Sequence, residues 1–281
     1  MSEKNLGYKF CDKFVQDFEN VVKNPIVSKS SVYYTGVDLG TACVVVAVLD
    51  ENYKPVAGAY KYADVVRDGM VVDYIGAIDI VRKMKQDIEE KLGAELIYGA
   101  AAIPPGTDAL DSGAVKNVVQ AAGFELTSVL DEPTAANKVL KIKNGAVVDI
   151  GGGTTGISIL KDGKVVYIAD EPTGGTQFSL VVSGAYKMPF AEAELYKRNP
   201  ENHKELLPVL KPVIEKIASI INQHIKGYDV KELSLVGGTC CLTGIEKVIE
   251  KTTGIPTHKP QNPLFVTPLG IALSCTQEST E

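Results

Sequence analysis

No apolar run in the 281 residues approaches the roughly 20 needed to cross a bilayer. The opening stretch, MSEKNLGYKFCDKFVQDFEN, has neither the apolar block of a signal peptide nor a small-residue cleavage site. The chain is therefore expected to be cytoplasmic, without membrane insertion. Its five cysteines (Cys11, Cys43, Cys240, Cys241 and Cys275) are odd in number and form no CxxC, which argues against a disulfide framework. The adjacent pair Cys240–Cys241 reads as small buried residues in a loop or helix start. His203, His224 and His258 lack the spacing of metal ligands. Low-complexity segments are missing, and so is GxxxxGK[ST], which removes the P-loop class. A net charge of −6 argues against a dedicated nucleic-acid binder.

What is present is ordinary globular material, 45% apolar and 23% charged. A chain of this length buries roughly three quarters of its unfolded surface, enough for two domains. Leu6, Phe10, Phe14, Phe18 and Val21 recur at helical spacing up to Asn24-Pro25, which marks an amphipathic N-terminal helix followed by a linker. VYYTGVDLG, TACVVVAVLDE and KPVAGAYKYA read as successive strands. Helices are expected at 76–92, in DSGAVKNVVQAAG and in TAANKVLK, with strands at LIYGAAAIP and LTSVLDEP. From Asn144 the pattern restarts. AVVDIGGGTTGISILKDGKVVYIADEP is a three-strand meander with a DG turn. Helices follow at GGTQFSLVVSGAY, 190–198 and 205–226, then strand ELSLVGG, helix LTGIEKVIEKTTG and a short closing helix.

The two halves share a signature: VDLGT at 37–41 and VDIGGGT at 148–154. This predicts an internal duplication of α/β units. Glycine loses more backbone entropy on folding than any other residue, so three in a row need a compensating role. Their N–H groups, unshielded by a Cβ, can form a nest of donors for phosphate. An Asp at the strand end cannot bind phosphate directly, but it can hold the neutralising Mg²⁺ through water. Asp38 and Asp149 are the metal candidates on this reasoning. The plain alternative is a tight hairpin whose glycines only permit positive φ.

VDLGT (37–41), LDEPTAAN (130–137), VVDIGGGTTGISIL (147–160), GGTQF (174–178) and LSLVGGT (233–239) occur in an order that resembles the actin/DnaK-type ATPase superfamily. Within it, the chain is most similar to the ethanolamine utilization protein EutJ family, with FtsA- and PilM-type proteins as cousins. The resemblance implies an actin-like fold: two ribonuclease H-like domains flanking a nucleotide cleft. With the N-terminal helix and linker, read from residue spacing, set at 1–31, it implies a first domain at 32–144 plus 262–281, and a second at 145–261 with a helical subdomain at about 185–228. It implies ATP or ADP with Mg²⁺ as ligands. Asp38, Gly40 and Thr41 would face phosphates and metal. Asp149, Gly151, Gly152, Gly153, Thr154 and Thr155 would cradle the β- and γ-phosphates, and Glu132 would orient the attacking water. Gly174 and Gly175 would lie at a helix N-terminus near the phosphates. Gly237, Gly238 and Thr239 would pass under the nucleoside. In ELYKR, Glu194 and Lys197 would reach the ribose and Arg198 would stack on adenine; a solvated charged face is the alternative there.

Departures from the DnaK-type pattern stand at Ala42, Gly156, Cys241 and Leu264, and no counterpart of its catalytic Lys is evident. They imply a slow ATPase at best, since phosphoryl transfer depends on metal placement and charge stabilisation. The expected function is an ATP-binding, chaperone-like protein that acts on enzymes or shell proteins of an ethanolamine-utilization microcompartment. The alternative is a nucleotide-regulated scaffold or filament protein. A small-molecule kinase would need a substrate-binding insert that is not evident. The Phe10/Phe14/Phe18 stripe lies outside the matched region and suggests a helix-in-groove docking element for a protein partner. Packing on its own body is the competing expectation.

Overall fold

The computed structural model of the chain describes residues 3–27, 30–67, 69–107 and 109–277. It divides into two compact units: the chain up to Lys141 together with the segment from Phe265 onward, and Ile142–Leu264.

The first unit opens with α1 (Glu3–Lys23) and a meander of β1 (Tyr34–Leu39), β2 (Cys43–Leu49) and β3 (Pro55–Tyr62). A two-residue ladder, β4 (Val66–Arg67) and β5 (Met70–Val71), leads to α2 (Tyr74–Leu92). Asp73 caps α2 by accepting from Gly76 N at 2.9 Å, and Gly93 ends it with φ +65°. There follow β6 (Tyr98–Ile103), α3 (Ala109–Ala121), β7 (Glu125–Asp131) and α4 (Glu132–Leu140). α9 (Val266–Ala272) returns to this unit from the far end of the chain. The sheet order is β3-β2-β1-β6-β7; β1 is antiparallel to β2 and parallel to β6. All of β2 is buried, as a strand covered on both faces must be. α2 and α3 cover a core that includes Val37, Val46, Val81 and Val118. On the other face, Ala100 and Ala102 meet Ala135 and Ile271. Gly36 is required where α9 crosses β1, because a Cβ there would come within 2.5 Å of Ala272 N and Pro268 O.

α1 belongs to this unit. Cys11, Phe14, Val15, Phe18 and Val21 are buried, and Phe18 meets Phe265 edge-on with centroids 5.1 Å apart. The stripe that the sequence offered to a partner is thus largely covered by the protein itself; only Phe10 stays substantially exposed. The side chain of Leu6 lies outside the described set.

The second unit repeats the pattern. β8 (Gly145–Ile150), β9 (Thr155–Lys161) and β10 (Lys164–Glu171) form the meander. α5 (Gly175–Tyr186), α6 (Phe190–Arg198), α7 (His203–Ile225), β11 (Leu233–Val236), α8 (Ile245–Thr253) and β12 (Thr257–His258) follow. The sheet order is β10-β9-β8-β11-β12, with the first two pairings antiparallel and the last two parallel. Strand order and pairing sense match the first sheet position by position. Val148, Ile150 and Ile157 share a core with Phe178 of α5 and with Leu206, Leu210, Ile214 and Ile217, which recur on one face of α7.

Candidate functional site

In each unit the candidate residues gather beyond the carboxyl ends of parallel strands, the edge where open α/β sheets place ligands. In the first unit, β1, β6 and β7 run parallel and end at Leu39, Ile103 and Asp131. Asp38 is half-buried near the end of β1, and Gly40 and Thr41 make the tight turn to β2, with Gly40 N donating to Cys43 O at 3.1 Å. A Cβ at Gly40 would lie 2.9 Å from that carbonyl. Glu132 is the first residue of α4. Asp131 caps this helix by accepting from Thr134 N at 2.9 Å, so the helix starts two residues earlier than TAANKVLK suggested.

In the second unit the parallel strands β8 and β11 end at Ile150 and Val236. The turn Gly151–Thr154 is closed by Gly151 N donating to Thr154 O at 2.9 Å. None of Gly151, Gly152 and Gly153 has positive φ, so left-handed backbone does not account for them. The carbonyls of Gly151 and Gly152 face inward. Gly151 O accepts from Gly175 N at 2.9 Å and from Thr239 Oγ1 at 2.7 Å. Gly152 O accepts from Thr176 N at 2.8 Å and from Thr176 Oγ1 at 2.9 Å. With those carbonyls engaged, the N–H groups of Gly152 and Gly153 bond no group among the described residues. Close approach explains the neighbouring glycines. A Cβ at Gly174 would lie 2.7 Å from Gly151 O, and one at Gly175 would lie 2.6 Å from Thr239 Oγ1. Gly237 has φ +90°, and a Cβ there would strike Asp149 Oδ1 and come within 2.5 Å of Ile150 O. The structure therefore brings Asp149, Gly151, Gly152, Gly174, Gly175, Gly237 and Thr239 into mutual contact. Thr155 sits beside them in β9, its hydroxyl donating to Thr173 O at 2.6 Å. Gly238 opens a 3-10 turn with its Cα facing Leu264, and Cys241 ends that turn, exposed, with its Sγ 3.6 Å from Asn262 Oδ1.

The ELYKR helix is not a solvated face. Lys197 Nζ donates to Gly175 O at 2.9 Å, to Ser179 Oγ at 2.8 Å and to Glu194 at 2.8 Å. Glu194 also accepts from Arg198 at 2.9 Å and from Ser179. Burial pushes the Glu194 carboxyl up, but Lys197, Ser179 and Arg198 together outweigh it and hold it below the usual range. Burial pushes the Lys197 ammonium down, only partly offset by Glu194. This cluster ties α6 to the start of α5, which in turn bonds the glycine turn through Gly175 N and Gly151 O.

Sequence reading missed two members. Thr176 ties α5 to Gly152 with both its N–H and its hydroxyl. Asp170, at the end of β10, is pushed up to about 6 by burial first; the Thr154 hydroxyl bond opposes this, and repulsion from Asp149 and Glu171 adds to it. A rise from 3.8 to about 6 favours the folded state fully only below the unfolded value and is lost as pH climbs through 6. In EDTA at pH 8, Asp170→Asn should therefore stabilise the protein, by about 1–2 kcal/mol after discounting for partial solvation. The gain should vanish toward pH 4; paired urea titrations at the two pH values measure it.

No helix among the described residues is long and apolar enough to cross a membrane. Residues 118–264 match the family described as Type IV pilus assembly protein PilM. The ethanolamine utilization protein EutJ of Salmonella typhimurium is 48% identical over 242 residues, 86% of this chain and 85% of that protein. The crystal structure of the EutJ protein from Carboxydothermus hydrogenoformans superposes with a TM-score of 0.90 at 47% identity, covering 95% of this chain and 99% of that one. MreB5 of Spiroplasma citri, bound to AMPPNP, superposes with a TM-score of 0.71 at 17% identity, covering 87% and 96%, a likeness of fold alone. At this identity and coverage the chain belongs to the EutJ family of ethanolamine utilization proteins and has the actin-like ATPase fold.

Proposed function

We propose that the protein binds Mg-ATP or Mg-ADP, with slow hydrolysis at best, and uses the nucleotide state to act in a chaperone-like way on enzymes or shell proteins of the ethanolamine-utilization microcompartment. The observation that carries this reading is the glycine turn, whose carbonyls are tied inward while the N–H groups of Gly152 and Gly153 remain available to phosphate oxygens. The start of α5 at Gly175 adds a helix N-terminus to that nest. Asp149 would hold Mg²⁺ through water, with Asp38 as the matching carboxylate of the first unit and Glu132 orienting the attacking water. Bound Mg²⁺ would supply charge neutralisation at the phosphates. Gly237, Gly238 and Thr239 would pass under the nucleoside. Arg198, held on Glu194 and partly exposed, would meet the base, while Lys197 would hold the start of α5 through the Gly175 carbonyl.

Thermal melting with and without Mg-ATP tests the reading. At a hundred times the dissociation constant, ATP should stabilise the protein by about 2.7 kcal/mol. Asp149→Asn, which keeps the shape and removes the charge, should lose the Mg-dependent part of that gain. An unchanged melt with millimolar ATP and ADP would refute nucleotide binding. The PilM match over residues 118–264 favours a second reading, a nucleotide-regulated scaffold. Nucleotide-dependent light scattering at rising protein concentration would mark that alternative.

A further inference from the structure

Asp149, Gly156 and Asp170 form one row across β8, β9 and β10. Asp149 pairs with Gly156 in one ladder, and Gly156 pairs with Asp170 in the next. Directly opposed residues of antiparallel strands point to the same face. Both carboxylates are therefore on one side of the sheet, opposite the side that Val148 and Ile157 bury in the core. Two strand spacings set their Cα atoms about 10 Å apart. The position between them carries no side chain, so β9 leaves the gap open.

Asp170 Oδ1 is fully buried and has no hydrogen-bond partner among the described residues. The Thr154 hydroxyl reaches the same carboxylate, and the Asp149 charge repels it. Ser158, two residues along β9 on the same face, has a buried Oγ that also lacks a partner. A buried carboxylate oxygen with no donor of its own, on the same face of the sheet as a second carboxylate, is costly. A cation between the two acids removes both the repulsion and the missing contact. The donors are all oxygen, which selects a hard divalent ion.

We propose that Asp170 is a further protein carboxylate of the divalent-cation site, holding a hydrated Mg²⁺-type ion together with Asp149 over Gly156. The proposal rests on the reading that the adjoining turn takes a metal nucleotide. No group of three or more His, Cys, Asp or Glu among the described residues is placed to hold a metal. The rest of the coordination sphere is therefore water and ligand oxygen, as Mg²⁺ prefers. On this view Gly156 is small because the ion and its water occupy the space above it.

The test uses the full chain and Mn²⁺, counted by loss of the free-ion EPR signal, with ATP binding in EDTA measured separately by calorimetry. Asp170→Asn should weaken Mn²⁺ binding at least tenfold without weakening ATP binding in EDTA. Gly156→Val, which fills the gap without changing charge, should weaken Mn²⁺ binding similarly, and circular dichroism confirms that both variants fold. Wild-type Mn²⁺ affinity in Asp170→Asn overturns the proposal. If the wild type binds no ATP in EDTA or with Mn²⁺, the nucleotide reading fails. Asp170-dependent binding of Mn²⁺ alone would then still support the cation site, and its absence would overturn that too.

Discussion

Replacing Phe18 with alanine is expected to lower the free energy of unfolding by about 3–5 kcal/mol. Its ring is 0% exposed, lies edge-on to Phe265, and occupies the space above Gly58, where a Cβ would collide with the ring. The glycine on β3 and the aromatic ring on α1 are complementary shapes, and removing the ring leaves a cavity that rigid backbone cannot fill. Phe10→Ala provides the contrast. That ring is 43% exposed, stacks on Phe14 at 5.5 Å and lies 4.5 Å from Lys141 Nζ. Losing a half-exposed stack and a cation–π contact should cost about 1 kcal/mol. Denaturant midpoints for the two variants decide what α1 is for. If Phe18→Ala costs no more than Phe10→Ala, the helix is a loosely held docking element after all. If the large difference appears, deleting the helix removes part of the first unit's core, and reduced activity of such a truncation says nothing about partners.

The parts of the fold legible in the sequence are those set by local pattern. Both meanders, the long helices and the glycine turns follow from alternation, helical periodicity and backbone chemistry within a few residues. β12, two residues long, falls below any periodic signal. The start of α4 is displaced because LDEP looks extended, whereas Asp131 is the cap and Pro133 lies in the first helical turn, where its missing N–H costs nothing. Asp170 escapes notice for a different reason. Its significance depends on ladder register, which places an acid on the third strand of the meander opposite a glycine on the second. Lys197 and Glu194 have the spacing of a surface ion pair. Their inward direction is decided by α5, which presents the Gly175 carbonyl and the Ser179 hydroxyl to Lys197. Spacing along one element says which side chains are neighbours; the element packed against it says whether they meet water or protein.

Gly270→Ala is expected to destabilise the protein by about 3 kcal/mol, against the sign of helix propensity. Alanine in place of glycine inside a helix ordinarily gains about 1 kcal/mol. Gly184 in α5, where an added methyl would meet nothing within 4 Å, should show that gain. Gly270 in α9 faces α4 so closely that a Cβ would overlap Ala135 O and lie 3.2 Å from Ala136 N. Both are backbone atoms, so no side-chain rotation relieves the clash and the two helices must separate. The consequence extends to function, because α4 begins at Glu132 and its position depends on that packing. Gly270→Ala should therefore lower the melting temperature and slow any hydrolysis, while ATP affinity, assigned mainly to the second unit, changes little. Equal stability of Gly270→Ala and Gly184→Ala would mean that α4 and α9 can part without cost, and Glu132 could then not be held rigidly by this contact.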